Sequence, residues 1–158
     1  MTEQGAEVQA RNRVVIDAIR VRRDRLYEAV LAVERALAAP AGDDPARWSA
    51  SLAGPVDNLQ EVLESHVAGT EGRDGLFEQM REDAPHLLHA VELLRDEHAP
   101  LLTSASALAA ALPGVTDDDD VDAIRAQALE LFHHLFEHRH RGAELVYDAY
   151  AVDISPGD

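Results

Sequence analysis

Apolar residues recur along this chain in steps of three, four and seven, which keep side chains on one face of an α-helix, and no segment shows the step of two that marks a half-buried strand. In three of these seams a histidine stands where leucine belongs. One runs Leu52, Val56, Leu59, Leu63, His66; the next Val91, Leu94, His98, Leu101, Ala105, Leu108; the third Ile124, Leu131, His138, Leu145. An imidazole carried into a core needs a hydrogen-bond partner or a metal. Three imidazoles from separate helices are what a metal site inside a bundle requires, because neutral imidazole nitrogen is a common transition-metal ligand.

Punctuation between the seams predicts four long helical segments. The first spans about Ala6 to Ala39, with Val15, Ile19, Leu26, Val30, Val33 and Leu37 on one face, and stops at Pro40-Ala41-Gly42. Asp44 as N-cap and Pro45 in the first turn open the second, which reaches about His66 and should kink or restart at Gly54-Pro55. A short piece around Arg73 to Arg81 precedes the third, which runs from Pro85 to Leu112 and carries Pro100 as a kink. Thr116 and Asp117 to Asp120 announce the fourth by capping free N–H groups; they lack the alternating ligand spacing and central glycine of a calcium loop. The expected fold is all-α, an up-down-up-down four-helix bundle forming a single domain over residues 1–158.

Composition narrows the chemistry. With no cysteine, any metal must be held by nitrogen and oxygen, which points to iron, manganese or zinc. A net charge of -16 argues against nucleic acid and against an anionic membrane surface. No apolar run approaches the roughly 20 residues that cross a bilayer, and the polar, acidic N-terminus lacks the pattern of a secretory signal, so a cytoplasmic protein is the expectation.

Counting from the connecting loops at about 1.5 Å per residue places His98 and His138 within roughly one turn of each other. The same count along the first helix reaches Ile19 to Leu26, where Arg22 or Arg23 fills the seam. Arginine cannot lose its proton to bind a metal. That helix is therefore expected to supply a nearby charge, a ligand from Asp24, Tyr27 or Glu28, or no ligand.

The order of histidine and acid in His66-Val67-Ala68-Gly69-Thr70-Glu71, Arg95-Asp96-Glu97-His98 and His138-Arg139-His140-Arg141-Gly142-Ala143-Glu144 resembles the hemerythrin-like, HHE cation-binding family. The resemblance implies a four-helix bundle with a non-haem iron centre, usually of two ions, that binds or processes O2, NO or peroxide, or senses iron or oxygen. It implies metal ligation by His66, Glu71, His98, His138 and Glu144. The acids follow their histidines by five and six residues, about 140° and 240° around an undistorted helix, so bringing them round needs a break at Gly69/Gly72 and a bulge near Gly142. His134, one turn before His138, stands equally as packing or as a further ligand or a donor supporting one, whereas His86, His89, His133 and His140 lie off the seams.

Three functions fit these features. The first is the iron protein just described, with a mononuclear iron or zinc site as a variant. The second is a metal-free interaction or regulatory module with buried histidines. The third is a metal-dependent oxidase of an organic substrate.

Overall fold

In the computed structural model, which describes residues 2–150, the chain is all-helical, with no strand among the described residues. Helix α1 spans Glu3–Ala38 and α2 spans Pro45–Glu71. Helices α3 (Leu76–Asp83), α4 (Leu88–Asp96) and α5 (His98–Ala111) follow, and α6 (Asp118–Tyr150) closes the bundle. No helix among the described residues is long and apolar enough to cross a membrane.

The caps act where expected. Asp44 accepts from the Arg47 N–H with Pro45 in the first turn of α2. Asp117 accepts from the Asp120 N–H, and Asp120 accepts from the N–H and hydroxyl of Thr116, so these acids are consumed in capping α6. Helix α2 passes through Gly54-Pro55 without ending. Leu52, Val56 and Leu59 on either side are essentially inaccessible, and that packing outweighs the one backbone bond a proline removes.

Polar cross-links fix an antiparallel arrangement. Trp48 Nε1 donates to the Ala39 carbonyl at 2.9 Å while Arg22, farther back in α1, reaches Gly69 near the other end of α2. Ser49 Oγ donates to the Leu112 carbonyl at 2.6 Å and Gln60 meets Ser106, running α2 against α5. Arg125 of α6 donates to the Leu37 carbonyl and stacks on Trp48.

The third predicted helix is two. Helix α4 stops at Asp96 and α5 begins at His98, because Pro100 has no N–H for the Asp96 carbonyl and the Glu97 N–H turns to Leu94 at 3.3 Å in a tighter turn. The core is divided at the same level. A larger cluster joins α1, α2, α5 and α6 around Val33, Leu52, Leu59, Leu108 and Leu131. A smaller one joins α3, α4 and the end of α6 around Phe77, Met80, Val91, Leu94 and Leu145.

Candidate metal centre

The three seam histidines meet where these two cores abut. His66 follows Leu63 by one turn, His98 lies between Leu94 and Leu101, and His138 lies between Leu135 and Leu145. His98 is 2% exposed and His138 3%, while His66 is half-buried. One nitrogen from each ring lies within 4.8 Å of the others. His66 Nε2 and His138 Nε2 are 3.3 Å apart, and the His98 and His138 ring centres 4.9 Å.

Two carboxylates stand behind the rings. Glu71 Oε1 is 2.8 Å from His98 Nδ1, and Glu97 Oε2 is 2.8 Å from His138 Nδ1. An ionised carboxylate only accepts, so each Nδ1 donates and each Nε2 is left with its lone pair facing the centre. His98 Nε2 is fully buried with no hydrogen-bond partner. A carboxylate behind a histidine whose other nitrogen faces inward is the arrangement that orients metal-binding imidazoles. Arg141 Nε anchors Glu97 at 2.6 Å, and Arg95 Nε stands 3.7 Å from Glu71. Phe77 stacks on the His98 ring, 5.7 Å between centres, and closes the site on the α3 side.

Burial and neighbouring charges disfavour the charged forms of His66 and His138. Burial, then the neighbouring imidazoles of His138 and His98 and the charge of Arg22, push His66 down to about 3. His138 is lowered by burial, which the hydrogen bond to Glu97 only partly offsets. Burial works to raise Glu97, but hydrogen bonds from Arg141 and His138 outweigh it and hold the carboxyl below the usual range. His66 and His138, held neutral with their Nε2 atoms turned inward, are ready for a cation without first losing protons.

The placement of the acids differs from the set that the family resemblance implies. Glu71 lies on the outer nitrogen of His98, not among the converging nitrogens, because α2 continues unbroken through Gly69 and carries it toward α5. Glu144 is exposed and pairs with His140 at 3.4 Å; α6 runs past Gly142 without a bulge, so six residues turn it away from His138. His134 is exposed beside His133 and is not part of the cluster. Asp24, Tyr27 and Glu28 are exposed, and Tyr27 lies under the Arg139 guanidinium. Arg22 is half-buried at the level of the histidines, donating to the Gly69 carbonyl at 3.0 Å, while Arg23 is exposed.

Glu97, Arg141 and Phe77 have no counterpart in the sequence expectations. Glu97 carried a signal, an acid adjoining a seam histidine just before a helix-interrupting proline. Adjacent residues on an unbroken helix point about 100° apart; the break at Glu97 leaves His98 facing inward while its neighbour reaches α6. A scan against protein-family descriptions and searches of curated proteins and of solved structures gave no match to this chain.

Proposed function

We propose that this protein is a metalloprotein of hemerythrin-like bundle type, holding one divalent transition-metal ion on His66, His98 and His138 and presenting its open coordination positions to a small ligand such as O2, NO or peroxide. The observation that carries this is the buried, partnerless lone pair of His98 Nε2, facing two other imidazoles. Left as it is, that nitrogen costs about 1–3 kcal/mol of desolvation; on a metal it is satisfied.

The spacing of His66 and His138 supports a single ion. Two nitrogens each about 2.0–2.1 Å from one ion stand about 3.3–3.4 Å apart at a tetrahedral angle, and His66 and His138 are 3.3 Å apart. Two ions would need bridging carboxylates, and the acids near the site are engaged elsewhere: Glu71 on His98, Glu97 on His138 and Arg141, Glu144 on His140. The negative charges of Glu71 and Glu97 compensate the two positive charges of the ion through the rings. Three nitrogens without thiolate accept iron(II) or zinc; iron is the ion the sequence resemblance implies, and we assign it.

Metal analysis of protein grown with iron and zinc supplied tests this. One ion per chain, lost from His98→Ala and His138→Ala but kept in His89→Ala, is expected. Metal-free protein that folds equally well with chelator present favours the module with buried histidines instead.

A further inference from the structure

A cavity of about 330 Å³ opens against His66 and His138 and extends between α1, α3 and the end of α6. Its size exceeds what a diatomic ligand needs and leaves room for an organic one. A water molecule takes about 30 Å³ of liquid, and cavities of about 300–1,000 Å³ hold organic ligands. The walls are apolar along most of their length, with Ile16, Ile19, Leu76, Met80, Leu94 and Val146 facing inward.

The charged groups on the wall are of one sign. Arg20, Arg22, Arg23 and Arg139 all line it and no aspartate or glutamate does. The chain has 30 acidic side chains against 14 arginines and no lysine, so gathering four cations around one apolar cavity runs against its composition. Among the described residues none of these four arginines is in an ion pair. Arg22 and Arg139 stand beside the histidines: Arg22 binds the Gly69 carbonyl one turn beyond His66, and Arg139 adjoins His138. Two of the four cations thus lie at the histidine end, and the apolar walls are shared by α1, α3 and the end of α6.

We propose that this cavity takes an apolar monocarboxylate, a fatty or aryl acid, with its carboxylate between Arg22 and Arg139 beside the histidine triad and its apolar body along α1 and α3. A guanidinium matches a planar carboxylate with two parallel N–H donors, and it does so best where apolar walls exclude water. That this acid is the molecule presented to the metal rests on the three-histidine centre proposed above; that the cavity binds it does not.

Calorimetric titration of the full chain with decanoate, and with decanol as the uncharged control, tests the assignment in both chelator-treated and metal-supplied protein. Decanoate should bind the chelator-treated chain about tenfold or more tighter than decanol. Arg22→Gln and Arg139→Gln should each weaken decanoate about fivefold while leaving decanol unchanged, a difference that a general loss of structure does not produce. Ala143→Trp, an exposed position at the rim, should block both. Equal affinity for acid and alcohol, no saturable binding of either, or arginine variants that bind decanoate as well as the parent each overturn the proposal. Metal counted in the same samples separates the two claims. Decanoate binding by a chain that takes up no metal keeps the cavity and removes the metal centre, whereas one ion per chain with no decanoate binding does the reverse.

Discussion

His98 holds Glu71 on one ring nitrogen at 2.8 Å and has no partner on the other. The carboxylate comes from the last residue of α2 and the imidazole from the first of α5, so one hydrogen bond ties the two helices and selects the tautomer whose free lone pair faces the bundle axis. Glu97, at the α4–α5 break, holds His138 of α6 in the same way. His66 has no such carboxylate; its Nε2 lies 3.3 Å from His138 Nε2 of α6, and Thr70 donates to its carbonyl one turn later.

Exchanging these two acids for their amides should therefore weaken metal binding without unfolding the bundle. Glu71→Gln and Glu97→Gln are each expected to lose about 10–100-fold in affinity, the usual effect of removing a carboxylate behind a ligating histidine. Glu144→Gln, altered in an exposed pair with His140, should bind as the parent does. Competition with a chromophoric chelator reads all three. An unchanged affinity in both Glu71→Gln and Glu97→Gln would show that the carboxylates do not tune the site.

Replacing His98 by leucine separates metal binding from stability. The substitution removes a fully buried nitrogen with no partner and keeps an apolar side chain against Phe77 and Leu101. In chelator, His98→Leu is expected to be more stable than the parent by about 1 kcal/mol, Glu71 retaining Arg95 and solvent on its open side. With metal supplied the order should invert, because only the parent gains from binding. Urea denaturation under both conditions checks the crossing; a variant less stable in chelator would mean that the lone pair is satisfied in the metal-free chain.

The seams were legible because burial and helical period coincide. Leu52, Leu59, Leu108, Leu131 and the two deepest histidines lie where the spacing of apolar residues places them. Helix boundaries at Asp44-Pro45 and at Thr116 to Asp120 were legible from capping chemistry. What the spacing could not show was how two short-range choices would resolve. Gly54-Pro55 is continued by the packing on both sides of it, whereas Pro100 ends α4, and only the second event turns an acid toward a histidine on another helix. The pairing of Glu97 with His138 was illegible for the same reason. Glu97 contacts His138 across 41 positions of sequence, a pairing that no local pattern encodes. No sequence pattern marks the cavity, because its arginines come from α1 and α6 and become one feature only when those helices lie side by side.

Tyr150 gives the folded chain an alkaline limit. Its hydroxyl is buried and donates to Asp83 at 3.3 Å; burial first, then the Asp83 charge and hydrogen bond, raise it to about 12 from an ordinary value near 10. A group whose pKa is higher in the folded state contributes stability that is complete below the unfolded value and is lost as pH rises toward the folded one. Stability should hold to about pH 10 and fall between about 10 and 12, with Tyr150→Phe flattening that decline. Thermal melts of both proteins across this window, together with the difference in their ultraviolet phenolate titrations, measure it. Identical slopes for parent and variant would remove Tyr150 as the source.

Arg22 should act in opposite directions on the two ligands of the site. Its guanidinium is close enough to contribute to the lowering of His66, and like charge repels a metal ion as it repels an imidazolium proton. Removing the charge in Arg22→Gln should therefore tighten metal binding several-fold, an effect that weakens as salt is added because the group is only half-buried. The same substitution should weaken binding of an organic acid in the cavity that Arg22 lines. Gly69→Ala offers an independent route to the same side chain: a Cβ at position 69 would lie 2.8 Å from the Arg22 guanidinium carbon, so the arginine must swing off the Gly69 carbonyl while the helix gains from losing a glycine. Stability close to the parent with altered acid binding is the expected result for Gly69→Ala. Metal affinity that falls in Arg22→Gln would mean that the arginine supports the histidines and does not repel the ion they hold.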